Sequence, residues 1–521
     1  MGSFMPTTER IRLRQSDYQS SALASDCGVQ SLPLWFVAGV HFAGFGLWFC
    51  WTLVAVHLHH VGAGLAFMER FSLLAISGLG AGCVGLTLSL GAHPARREES
   101  GEYGVMLGWS LFTLLLLSCG LTWLLSHVVA PVWQWQGLAL LCGAGAGASS
   151  ALVHQLRPHS RGQRRVGASD AAHWGIVMGL LVLPLLVLLP LPSQGVVSVL
   201  WTSHFFARLA PGTDLWLAWS GAFWGAITVL LLACWLRHQR RGSWCVSVPV
   251  AVRSGWYFYR AFFFGLTLAA LGAWLVLPSS AGGSGLVPPK ELLLAVLIAI
   301  ALAPMLLSAR GGRQTPSLDH LRRVDTWVLA LLWVMSQGSF LGLAAAFPLT
   351  VERLFVGSAA PGYPGVFVYA WMLPLLGILV RPLGTWGSAR WGGALTTQIC
   401  IVIMVAASVA AAYWVYQAQG SAQPARYFSG FMLGFALLFV AAGVAQSALA
   451  RDVEAVASSR AWVWLSAMAA FGVFYICLTL AEQLERGKGV QALAGFALFY
   501  ALCGVTNVWR YVRGPRSALA L

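Results

Sequence analysis

Apolar segments long enough to cross a bilayer recur fourteen times, near 33–57, 69–91, 105–128, 135–155, 172–191, 214–236, 256–277, 291–308, 327–349, 366–387, 395–417, 428–449, 461–481 and 490–511. A hydrocarbon core about 30 Å thick needs about 20 apolar residues in helical conformation. Lipid offers the backbone no hydrogen-bond partner, so segments of this kind must be helices. The expected fold is therefore an all-α polytopic membrane protein of fourteen spans. Charge content agrees: 9% of residues are Asp, Glu, Lys or Arg, against about 25% in soluble proteins. So few charges cannot coat a soluble globule, and a soluble enzyme, a disordered chain and a secreted disulfide scaffold are excluded. No water-soluble domain fits between the segments.

The loops set an orientation. Cytoplasmic loops concentrate Lys and Arg. With the N-terminus inside, 24 basic residues fall on the inner face, seven on the outer, and Arg381 within a span. The inner face takes Arg96/Arg97, Arg157/Arg161/Arg164/Arg165, Arg237/Arg240/Arg241/Arg253, Arg310/Arg313/Arg322/Arg323 and the C-terminal Arg510, Arg513 and Arg516. The outer face takes Arg70, Arg208, Lys290, Arg353, Arg426, Arg486 and Lys488. An even number of spans keeps both termini cytoplasmic, with tails at 1–32 and 512–521. Met1–Ser31 is polar and basic without an early apolar core, which reads as a cytoplasmic tail rather than a cleaved signal. The net charge of +15 is then a topology signal, and no nucleic-acid partner is expected. Ser279–Pro289 reads as a short external loop, and Ala309–Arg323 as a basic cytoplasmic one.

Several residue types stand out against this background. The chain holds 25 Trp; Trp35, Trp133, Trp135, Trp201 and Trp327 lie near span ends, as an interfacial belt requires. Gly78, Gly80, Gly82 and Gly85 in the second span, and Gly143, Gly145 and Gly147 in the fourth, would let helices approach closely. The cysteines Cys50, Cys83, Cys119, Cys142, Cys234, Cys400, Cys477 and Cys503 lie inside apolar runs without metal-binding spacing and read as buried thiols. His41 and His173 are intramembrane; a lone histidine there is more often hydrogen-bonded core than ligand. His57, His59 and His60 cluster at an outer span end and read as interfacial. No cofactor and no metal is expected.

Arg381 carries the main functional signal. A central Arg costs roughly 2.5–3.5 kcal/mol on insertion scales. Either it faces a cavity, or it snorkels to the cytoplasmic surface where Pro382 opens the helix. No intramembrane carboxylate presents itself as a partner, since Asp170 and Asp214 lie at span edges. A small anion would then be the missing countercharge, and a planar guanidinium suits a planar oxyanion.

The run Gly338–Leu349 (GSFLGLAAAFPL) after Asp325-Thr326-Trp327, and Tyr369–Gly393 (YAWMLPLLGILVRPLGTWGSARWGG), resemble the C-terminal half of nitrate/nitrite porters of the major facilitator superfamily. Similar stretches are LWFVAGVHFAGFGLWFCWTLVAVHL in the first span, AISGLGAGCVG at 75–85, LLCGAGAG at 140–147, LWLAWSGAFW at 215–224 and FGVFYICLTLAEQL at 471–484. The resemblance implies two six-helix halves, 33–236 and 327–511, with 237–326 contributing basic loops and two inserted helices. It also implies rocker-switch transport of a small anion such as nitrate or nitrite in a bacterial inner membrane. Family members hold the anion between two arginines. One matches Arg381; the other position falls on Gly85. The glycine–asparagine signatures fall near His173 and on Gly443–Ser447, with Gln446 in place of Asn, and the aromatic pair of the seventh helix falls on Trp333 and Gln337. The cytoplasmic motif after Arg381 has Ala389 for its acidic residue. Gln446, Gln337 and Ser339 could donate or accept neutral hydrogen bonds to substrate, with Trp333 walling the site. The alternative is a non-transporting membrane subunit that kept the porter scaffold and lost the site, docking a protein partner through the inserted helices.

Overall fold

The computed structural model describes residues 34–60, 65–91, 100–125, 130–155, 163–188, 218–240, 248–277, 283–286, 288–310, 324–356, 369–456 and 459–513. Helix is the only regular structure among them: α1 (Leu34–His60), α2 (Phe67–Gly91), α3 (Ser100–Leu125), α4 (Val132–Gln155), α5 (Gln163–Leu188), α6 (Ala218–Arg240), α7 (Val248–Val276), α8 (Lys290–Arg310), α9 (324–356), α10 (372–391), α11 (Gly393–Gln419), α12 (Phe428–Val456), α13 (Ser459–Glu485) and α14 (489–512). Among the described residues, eleven helices are long and apolar enough to cross a membrane as continuous rods. The N-terminal tail, residues 514–521, Arg96/Arg97, Trp201, Arg208, Asp214 and Arg313–Arg323 lie outside the described residues, as do the side chains of His57, His59, His60, Arg164 and Arg165.

Two helices depart from regularity where the site is built. In α9 the α-helical Val324–Trp333 gives way to a π turn at Val334–Gly338 before Ser339–Val351 resumes. Single π turns recur at functional sites, because one extra residue re-aims the side chains that follow. In α10 the segments Met372–Leu379 and Arg381–Trp391 meet at Val380 (φ −85°, ψ −6°), where the regular helix is interrupted. Pro382 explains the break: it has no N–H to donate, and its ring collides with the carbonyl four residues earlier. The span expected at 366–387 is thus two helices hinged beside Arg381. Gly392, at φ 84°, turns the chain directly into α11; a side chain there would be strained.

Packing repeats itself. α1 lies along α5, α2 along α4 and α3 along α6; in the same order α9 packs on α13, α10 on α12 and α11 on α14. The two sets meet through α2 with α13, α5 with α10 and α1 with α9. Helix α7 lies on α2 and α3, while α8 touches α2 and α7. The start of α8 is also tied to α13, by Lys290 Nζ to Glu482 Oε2 at 2.7 Å and by the Tyr475 hydroxyl donating to Glu291.

The glycines on α2 and α4 interlock. A Cβ on Gly143 would strike the Ser77 carbonyl, one on Gly147 the Ala81 carbonyl, and one on Gly80 the Leu140 carbonyl. Backbone, unlike a flexible side-chain tip, cannot swing away. At Gly85 the same atom would meet Gly147 O at 3.5 Å and Ala467 Cβ at 3.8 Å, which is ordinary contact. Gly147→Ala should therefore lower thermal stability in detergent by about 1–3 kcal/mol through overpacking. Gly85→Ala should change it by less than about 0.5 kcal/mol. Equal losses at both positions would contradict this account of the α2–α4 crossing.

Three readings need correction. Trp35, Trp133 and Trp327 are exposed, but Trp135 is fully buried: it packs edge-on against Trp51 and donates to the Ala130 carbonyl. It is core, not belt. Cys119 and Cys234 face outward rather than inward. Arg70, assigned to an outer loop, is buried in the first turn of α2 with both Glu352 carboxylate oxygens on its Nη1, at 2.7 and 2.8 Å.

Candidate functional site

Where the two helix sets meet, a cavity of about 40 Å³ opens. That is space for roughly three waters. Its wall comes from both sets: His41 and Trp48 of α1, Gly85 of α2, Ser150 of α4 and His173 of α5, then Trp333 and Gln337 of α9, and Trp462 and Ser466 of α13. Aromatic faces bound it, and a few neutral polar groups enter it. The indole N–H of Trp333 is buried and has no hydrogen-bond partner among the described residues. An N–H stranded in this way gains from a ligand that accepts.

Behind this wall runs a chain of buried polar side chains. Arg381, only 6% exposed, reaches from the α10 break toward α5. Its Nη2 lies 2.9 Å from Asp170 Oδ1, and its Nη1 lies 2.7 Å from His173 Nδ1. Asp170 and His173 are three residues apart, so they share one face of α5. His173 Nε2 lies 3.0 Å from Gln337 Oε1, which also accepts from Gln446 Nε2 on α12. The Ser447 hydroxyl donates to the Arg381 carbonyl at 2.7 Å, holding the hinge residue on α12. Phe340 meets the His173 ring edge-on at 5.0 Å.

Donor chemistry fixes the protons along this chain. A guanidinium only donates, so His173 Nδ1 must accept and carries no hydrogen. The neutral ring then has its hydrogen on Nε2, which donates to Gln337 Oε1. A second proton on His173 would set N–H against N–H at Arg381. The arrangement therefore holds one cation, one carboxylate and one neutral imidazole.

Six of the seven residues singled out from sequence sit in or beside this assembly. Arg381, His173, Gln337 and Gln446 form the chain, and Trp333 and Gly85 line the cavity. Ser339 is not part of the wall; its hydroxyl pairs with Tyr500 of α14 at 3.0 Å. One alternative for Arg381 is excluded and one expectation is overturned. It does not snorkel, because it is buried against α5 and α12. It does have a carboxylate partner, Asp170, which the sequence placed at a span edge. The spacing of Asp170 and His173 was the available clue. His41, Ser150 and Ser466 also belong to the wall, and no sequence signal separated them from ordinary core.

No protein-family model matches the chain. A probable nitrate/nitrite antiporter, NarK2 of Thermus thermophilus, is 28% identical over 204 residues, covering 37% of this chain and 44% of that protein. The nitrate/nitrite transporter NarU of Salmonella typhimurium is 23% identical over 510 residues, covering 91% and 90%. Among solved structures, the xylose transporter XylE of E. coli in a partially occluded inward-open conformation superposes with a TM-score of 0.55 at 13% identity, covering 92% of this chain and 98% of that one. A POT-family peptide transporter in complex with sulfate gives 0.55 at 13% identity, covering 91% and 93%. These structural likenesses establish a shared fold.

Proposed function

We propose that this chain, distantly similar in sequence to nitrate/nitrite transporters and alike in fold to xylose and peptide transporters, is a divergent, multi-pass transporter of the major facilitator superfamily that carries a small anion, nitrate or nitrite, across a bacterial cytoplasmic membrane. The halves 33–236 and 327–511 rock about the central cavity and expose it to each side in turn, with 237–326 as an insertion and both termini cytoplasmic. One observation carries this reading: a buried guanidinium, Arg381, stands at the hinge of a broken helix where α10 meets α5. A buried cation at a junction between two moving bodies is held for a purpose, since replacing a buried ion pair with apolar side chains is often neutral or stabilising.

The remaining site residues suit a small polar guest. Gln337 and Gln446 offer neutral hydrogen bonds, His173 orients the guanidinium, and Trp333 supplies an N–H within an aromatic wall. Gly85 adds no second charge, so Arg381, behind the cavity wall, is the one cation this reading gives the site. The test is uptake of labelled nitrate and nitrite by proteoliposomes holding the purified protein. Time-dependent accumulation above empty liposomes is expected. If neither anion accumulates in either membrane orientation, the substrate assignment is wrong.

A further inference from the structure

We propose that Asp170 is a tethered stand-in for the transported anion: its carboxylate occupies Arg381 in the empty site and is displaced when substrate binds. This rests on the transporter reading above and deepens it, by naming the group with which substrate must compete.

The geometry separates a fixed cation from a movable anion. The Arg381 side chain is 7% exposed, whereas that of Asp170 is 43% exposed. The Asp170 carboxylate, with Oδ1 2.9 Å from Nη2, is the more solvent-exposed member of the pair. It can therefore rotate outward and be solvated. Arg381 cannot follow, because His173 holds Nη1 and Ser447 holds the backbone carbonyl, while Gln337 in turn holds His173. When the carboxylate leaves, the guanidinium keeps its position, and another oxyanion can take the place of the Asp170 carboxylate.

A second ion pair in the same molecule shows what a non-exchangeable contact looks like. Arg70 and Glu352 have side chains only 6% and 8% exposed, and both carboxylate oxygens are engaged. Neither partner can reach solvent without moving a helix. Asp170 differs in its exposure, 43% against 8% for Glu352.

Exchange also conserves charge. One negative group replaces another, so the buried cation is never left bare, a state that costs several kcal/mol in proteins. A neutral solute could not displace Asp170, and a dianion would leave an uncompensated charge. The substrate is thereby restricted to a singly charged oxyanion. Affinity is reduced by the fraction of time Arg381 is free: a carboxylate bound about 90% of the time weakens substrate about tenfold, and one bound 99% of the time about a hundredfold.

The experiment measures calorimetric binding of nitrate, nitrite and formate to the purified full-length protein in detergent. Asp170→Asn, with the shape kept and the charge removed, should bind at least about tenfold tighter than the unaltered protein. Asp170→Glu should stay near the unaltered value, and Asp170→Asn combined with Arg381→Gln should not bind. Nitrate bound equally or more weakly by Asp170→Asn overturns the proposal while leaving the transport reading intact. Tighter formate binding by Asp170→Asn, with no nitrate or nitrite bound by either protein, upholds the competition and removes the substrate assignment. No anion bound by either protein overturns the proposal. A readout without substitution guards against misfolding of the variant: carbodiimide-coupled amine labelling of Asp170 in the unaltered protein, read by mass spectrometry. Saturating nitrate should increase that labelling, and unchanged labelling with nitrate bound overturns the exchange.

Discussion

Replacing Glu352 by Gln is expected to destabilise the folded protein by about 3–5 kcal/mol, the usual penalty for removing one partner of a buried ion pair. Arg70 and Glu352 are 5% and 9% exposed, and Arg70 Nη1 donates to both carboxylate oxygens. The Gln side chain keeps one acceptor oxygen and loses the charge, leaving a guanidinium without its counter-ion in the wall between α2 and α9. Removing both charges, as Arg70→Gln with Glu352→Gln, should recover much of the loss, because no bare ion remains. A double-mutant cycle on thermal unfolding in detergent measures the coupling directly. If the single variant is as stable as the parent, the pair is not desolvated as the structure describes. The same pair joins the start of α2 to the end of α9, so it is one of the contacts that must part if the halves separate at that end.

Arg381→Ala is expected to reduce anion uptake in proteoliposomes by roughly a hundredfold or more, since truncating one partner of a buried, hydrogen-bonded charge pair removes about 2–5 kcal/mol. Its effect on stability should be much smaller than that of Glu352→Gln. Asp170 is the group left behind, and with its side chain 43% exposed it can be solvated in place. A function lost while the fold is kept distinguishes a binding role from a structural one. Arg381→Lys should not restore uptake. An ammonium is a compact point charge, and it cannot repeat the planar fork that meets His173 Nδ1 and Asp170 Oδ1 from two nitrogens. Uptake unchanged in either variant would remove Arg381 from the site.

The sequence made the membrane architecture legible because hydrophobic periodicity and charge placement are summed over many residues. Each of the fourteen apolar segments contains helix in the structure. Arg381 was legible for a similar reason: a lone charge inside an apolar run stands out against its own neighbours. Asp170 was not. It is the eighth residue of α5, counting Gln163 as the first, and so near the helix start a carboxylate reads as a loop-side charge. Arg70 and Glu352 were hidden in the same way, since each lies near a helix end where topology already accounts for a charge.

Sequence alone therefore determined the solvent of this protein, its all-helical character, the break that Pro382 imposes on α10, and the presence of one costly cation. Those properties follow from transfer free energies and backbone geometry, which act locally along the chain. Only the tertiary structure decided that Arg381 faces Asp170 and His173 rather than lipid headgroups, that Gln337 links His173 to Gln446, and that Ser339 turns to Tyr500 instead of the cavity. These are contacts between residues far apart in the chain, 208 positions for Arg381 and His173, and their partners are set by which helix faces pack together. An all-round apolar helix does not announce its facing side, so the pairing of its few polar groups emerges only when the bundle closes.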